Sequence, residues 1–133
     1  MQRIAVPRRR RAAAAGAAAL VAGVLTLTAP PSAPAHFEVK STKPGKGGTA
    51  RTSLRAVKVT FTGPIRSGTL RVRGPGRRLV SKNSGGRDPR SVARLRVRLK
   101  RGLSSGRYKA RWTAVAADGH ELSGSFRFRL RRP

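Results

Sequence analysis

Few side chains in this sequence can do chemistry. The 133 residues hold no Cys, two His (His36, His120) and four carboxylates (Glu38, Asp88, Asp118, Glu121) against 31 Lys and Arg. Thiol nucleophiles, disulfides, zinc ribbons and iron–sulfur centres are excluded, and hydrolases built on paired carboxylates have almost nothing to draw on. The two histidines are more informative. His36 follows Ala33-Pro34-Ala35, a small-x-small pattern that a signal peptidase accepts, so cleavage between Ala35 and His36 makes it the first mature residue. Its free α-amine and its imidazole then close a chelate ring on one metal ion. The other histidine lies in Asp118-Gly119-His120, where the glycine lets the backbone turn tightly enough for carboxylate and imidazole to converge. Amine, two imidazoles and one carboxylate form a nitrogen-rich set with one oxygen, suited to tetragonal Cu(II), which heads the affinity order of divalent metals. On local sequence alone, Asp118-Gly119 reads first as a hairpin turn.

The elements that must position these residues follow from the rest of the chain. Arg3 and Arg8 to Arg11 precede an Ala/Leu/Val run over 12–28 and a Pro/Ala-rich stretch, the n-region and h-region of a secretory signal. Residues 1–35 are therefore expected as a cleaved signal peptide and residues 36–133 as one exported domain; the competing reading is an uncleaved membrane anchor. From His36 onward the apolar period is two. Val57, Val59 and Phe61, then Leu70 and Val72, then Leu95, Val97 and Leu99 alternate with polar or cationic residues. Tyr108, Ala110 and Trp112 do the same, as do Phe126, Phe128 and Leu130. Turn signals such as Gly63-Pro64, Gly74-Pro75-Gly76, Asn83-Ser84-Gly85-Gly86 and Asp118-Gly119 separate them. About seven short strands at this spacing predict an all-β, immunoglobulin-like antiparallel sandwich with no long helix. Without Cys, such a fold rests on its apolar core alone.

Each strand thus carries one apolar and one cationic face. The mature domain would hold a formal charge of +22, within +27 for the whole chain. Charged outer faces keep antiparallel sheets soluble and their edges unsociable. The alternative is a surface for polyanions, such as anionic cell-envelope polymers or lipid headgroups. Sequence-specific nucleic-acid recognition is not expected of an exported chain with one Trp, one Tyr and four Phe, since stacking platforms are scarce.

The run from Gly106-Arg107-Tyr108-Lys109-Ala110-Arg111-Trp112 through Asp118-Gly119-His120 to Gly124-Ser125-Phe126-Arg127-Phe128 resembles the hallmark segment of the CopC family of exported copper-resistance proteins. His36, Ser41-x-x-Pro44 and the Val57-x-Val59-x-Phe61 strand resemble its N-terminal signature. The resemblance implies a β-sandwich that binds one Cu(II) through the N-terminal His, amine and ring together, with the Asp and His of the Asp-Gly-His motif. Carried over, the ligands are His36, Asp118 and His120. Phe37, Ala116 and Glu121 depart from the family's usual residues without removing a ligand. The only Met is Met1, lost with the signal, which excludes a thioether Cu(I) site. The implied role is a copper carrier or buffer outside the cytoplasmic membrane, periplasmic or at the cell envelope, serving a CopD-type membrane copper transporter. The competing reading is a polyanion-binding sandwich with copper incidental. An oxidative copper enzyme also uses an N-terminal His, but 98 residues leave little room for its substrate surface, so no enzymatic activity is expected.

Overall fold

The computed structural model describes Gly16 and residues 37–133; the rest of the expected signal peptide, and His36, lie outside the described residues. Eight strands form in chain order: β1 (Val39–Lys43), β2 (Thr49–Arg51), β3 (Ala56–Phe61), β4 (Ile65–Arg73), β5 (Gly86–Arg87), β6 (Arg94–Arg98), β7 (Gly106–Ala116) and β8 (Glu121–Arg131). They make two four-stranded sheets, ordered β1-β3-β6-β5 and β2-β8-β7-β4. Only a 3₁₀ turn at Pro75–Arg77 interrupts the β structure among the described residues, and no helix there is long and apolar enough to cross a membrane.

The period-two pattern is the reason for the sandwich. Successive side chains point to opposite faces of a strand, so each alternating run presents its apolar set to one side. Val57, Val59 and Phe61 of β3 and Leu95 and Val97 of β6 meet Leu70 and Val72 of β4, Tyr108, Ala110 and Trp112 of β7, and Phe126, Phe128 and Leu130 of β8 in one core. Tyr108 stacks on its cross-strand partner Phe128 with ring centroids 5.6 Å apart. Its hydroxyl, which burial would otherwise strand, donates to the Ser104 carbonyl at 2.6 Å.

The structure departs from the sequence expectation in two respects. There are eight strands rather than about seven, and β2 runs parallel to β8 while every other pair is antiparallel. Both surprises are short. β5 has two residues and β2 three, and neither carries an alternating apolar run from which a strand can be read.

A bulge between Ile65 and Ser67 shifts the register of β4 against β7. It switches the inward parity, so that Ile65 and then Leu70 and Val72 are all buried while Arg66 is left outside. The outward face of β4, β7 and β8 is ordered by register. Ser67, Val115 and Glu121 form the row nearest the β7–β8 turn, and next to it stand Thr69, Thr113 and Ser123 side by side, with the two threonine hydroxyls 2.8 Å apart. One row further on, Arg71 pairs with Arg111, and beyond it Arg73, Lys109 and Arg127 form a cationic row.

Candidate metal centre

The Asp118-Gly119-His120 motif forms the turn of the longest hairpin, between β7 and β8, with Val115 and Glu121 as the last cross-strand pair. The Gly119 amide donates to the Ala116 carbonyl at 2.9 Å, and the Ala116 amide donates to the His120 carbonyl at 2.8 Å. Gly119 has φ of 93°, a conformation that L side chains avoid, and a Cβ there would meet nothing within 4 Å. Its requirement is therefore conformational rather than steric. The hairpin turn and the candidate site are the same stretch of backbone, so the two local readings of Asp118-Gly119 do not compete.

The turn brings two predicted site residues together. Asp118 Oδ1 accepts the His120 backbone amide at 3.0 Å, and Oδ2 lies 2.8 Å from His120 Nδ1. Both side chains are open to solvent, at 83% for His120 and 61% for Asp118. The His120 backbone amide, then its ring, holds the Asp118 carboxyl below the usual carboxylate range, so the group is anionic at neutral pH. Two donors each about 2.0–2.1 Å from one ion, at right angles, stand about 2.9 Å apart. Oδ2 and Nδ1 already have that separation. Asp118 and His120 could therefore each offer one donor to a single ion after a small rotation of the ring.

The turn is tied to the β3–β4 loop. The Ala117 amide donates to the Pro64 carbonyl at 3.1 Å, and the guanidinium of Arg66, freed by the bulge, donates to the Ala117 carbonyl at 3.1 Å. The same loop holds the first described residues of the domain. Phe37 stacks on Phe61 with centroids 5.0 Å apart, and Phe61 meets Trp112 edge-on at 5.1 Å. Trp112 in turn covers Gly124, where any Cβ would come within 2.6 Å of the indole. The Glu38 amide donates to Thr62 Oγ1 at 3.1 Å, and the Thr62 amide donates to the Glu38 carbonyl at 2.9 Å. Phe37 and the Asp118–His120 turn thus share one end of the sandwich.

Among the described residues no three His, Cys, Asp or Glu side chains gather as a metal group. Asp118 and His120 are two candidate donors, and no other described His or carboxylate joins them. Asp88 is taken up in a buried ion pair with Arg94, and Glu121 lies exposed at the start of β8. Sequence reasoning missed the roles of Phe37 and Arg66, which hold the two sides of this end together. Phe37 carried a faint signal as an aromatic beside His36; nothing in the sequence marks the bulge that frees Arg66.

Residues 39–131 match the CopC domain. The chain belongs to the CopC family. It is 28% identical over 109 residues to the copper transport protein CutJ of Bacillus subtilis (strain 168), an alignment covering 76% of this chain and 19% of that protein. The chain thus spans about a fifth of the length of this curated relative. The crystal structure of CopC from Methylosinus trichosporium OB3b shares the fold at a TM-score of 0.60 and 19% identity, covering 73% of this chain and 95% of that one. PcoC of Escherichia coli, a methionine-rich copper resistance protein, does so at 0.57 and 24% identity, covering 73% and 100%. Unlike a methionine-rich CopC protein, this chain has one Met, at position 1.

Proposed function

We propose that this CopC-family chain is an exported copper carrier or buffer and not an enzyme, holding one Cu(II) per chain. Its ligands are the α-amine and imidazole of His36, the carboxylate of Asp118 and the imidazole of His120. In this reading residues 1–35 are a signal peptide cleaved before His36, and the mature domain works outside the cytoplasmic membrane with a CopD-type transporter as partner. Family membership and the copper transport named for CutJ support the cargo. The observation that carries the site is the 2.8 Å Asp118–His120 pair at the end of the sandwich where Phe37, the next residue after His36, is stacked on Phe61. Phe37, the first residue of the domain to be described, supports this reading by being held at the same end as that pair.

Nitrogen and carboxylate donors favour Cu(II), and with no Cys and no mature Met the set is poor for Cu(I). Reduction at a membrane partner is therefore a route to release. The chelate depends on processing, because the amine must be free and unprotonated.

Cu(II) titration of a chain beginning at His36, beside one carrying a single extra residue before it, tests the reading. The first should bind one Cu(II), more weakly as pH falls, because protons compete with the ion for the donor nitrogens. The second should lose at least about tenfold in affinity. Equal affinity in the two forms would overturn the N-terminal site.

A further inference from the structure

We propose that the half of the β2-β8-β7-β4 sheet remote from the Asp118–His120 turn is a binding face for a linear phosphodiester polyanion. The register of this sheet sorts its outward side chains by type. Next to the turn is Ser67–Val115–Glu121, then the hydroxyl row Thr69–Thr113–Ser123; beyond them come Arg71–Arg111 and then Arg73–Lys109–Arg127. The series continues with Arg107 beside Arg129 and Arg51 beside Arg131. Among the described residues the sole carboxylate on this face is Glu121, at the other end of β8. Solubility alone needs interspersed charge and does not need cations in direct cross-strand register, where like charges repel. The other sheet has one such row, Lys43–Lys58–Arg96, where this one has four in succession, and an anion lying across them would relieve the repulsion.

The strand ends add a seat. Ser105, Gly106, Arg107, Arg129, Leu130 and Arg131 line a shallow depression of about 290 Å³ at this end of the sheet. Along each strand the cations recur every second residue, about 6.8 Å apart, and their guanidinium forks suit phosphate oxygens. The two exposed large apolar side chains, Val39 and Val92, lie on β1 and the loop before β6, outside this face. Nothing here inserts into a bilayer interface, and a twisted sheet meets a plane over only part of its area. A flexible chain can follow the rows. The rows also stand away from the turn, where Arg66 is bonded: Arg111 and the end of β7 at Ala116 are about 17 Å apart along the strand, beyond the range of screened repulsion at physiological salt.

The test measures binding of the full chain to poly(glycerol phosphate) across salt concentrations, so that the Arg8–Arg11 cluster contributes equally to every variant. Binding should fall steeply with salt. Replacing Arg73, Lys109 and Arg127 by Gln should reduce the slope of log affinity against log salt by about 2 units, at roughly 0.7 for each phosphate no longer neutralised. Replacing Lys43, Lys58 and Arg98 of the other sheet removes the same charge and should leave most of the slope in place. The first triple variant should also melt no lower than the parent, since repulsion is relieved. Equal losses in the two triples would reduce the effect to overall charge and overturn the proposal. A loss seen with phosphatidylglycerol vesicles but not with the polymer would replace it by a lipid surface.

Discussion

Asp88 and Asp118 each accept a hydrogen bond from the backbone amide two residues on, at 3.0 Å in both cases. From there they diverge. Asp88 is 3% exposed, and its second oxygen faces the Arg94 guanidinium at 3.5 Å. The Asp88 amide also donates to the Arg94 carbonyl, so the loop leading into β6 closes on itself. Asp118 sits on an open turn, and its second oxygen faces an imidazole. A carboxylate that a permanent cation has satisfied is a structural clamp. One that faces an imidazole on an open turn has no permanent cation beside it. The same local device therefore makes a buried clamp at one place and an open pair at the other, which the proposed function uses as donors, and the difference lies in what the surrounding strands bring to the second oxygen.

The matched substitution Asp→Asn separates the two. Asp118→Asn should cut Cu(II) affinity by about 100-fold, as should His120→Ala, because the first leaves only a weak neutral oxygen in place of an anionic donor and the second removes an imidazole. Both should leave unfolding by denaturant within about 0.5 kcal/mol of the parent, since the turn is exposed. A variant at either position that keeps parental copper affinity would remove that residue from the site.

Asp88→Asn should do the reverse, costing about 1 kcal/mol of stability as the ion pair with Arg94 disappears, while leaving copper affinity unchanged. Its effect has a pH signature. The Arg90 amide, with Arg94 and Arg96 nearby, holds the Asp88 carboxyl below the usual range despite its burial. A depressed carboxylate stabilises the fold above its unfolded pKa of about 3.9, and that contribution is lost as pH falls through the lower folded value. Thermal melts should show the gap between parent and Asp88→Asn wide at pH 7 and closing toward pH 2. A constant gap would mean that the carboxylate charge is not what stabilises the loop.

The smallest expected effect is at Gly119. Alanine there meets no neighbour, so Gly119→Ala should cost only the about 1 kcal/mol of a positive φ, with a modest weakening of Cu(II) binding as the Asp118–His120 geometry relaxes. A loss of copper binding as large as that of Asp118→Asn would show that the turn backbone, and not the donor side chains alone, defines the site.

Much of the molecule is determined by local alternation. Val57, Val59 and Phe61, or Phe126, Phe128 and Leu130, are buried because a two-residue period leaves a strand only one apolar face to hide. The Asp-Gly step at 118–119 declares its turn because few other residues accept the backbone that a tight hairpin demands. The family motif likewise lies in contiguous sequence, from Tyr108 and Trp112 to Phe128. What the sequence could not determine is whatever depends on strands meeting across the fold. The parallel pairing of β2 with β8 comes from backbone hydrogen bonds between a three-residue strand and a distant one, and carries no apolar signature. The β4 bulge decides which way Arg66 points, and stacking on Phe61 decides where Phe37 ends. Sorting of the cations into one half of a sheet is a property of register, since Arg73, Lys109 and Arg127 become neighbours only after three strands align. Side-chain type and period are local, and a sequence displays them directly. Cross-strand neighbours are set by long-range pairing, where a shift of one residue turns every side chain to the other face, so only the assembled sheets could place them.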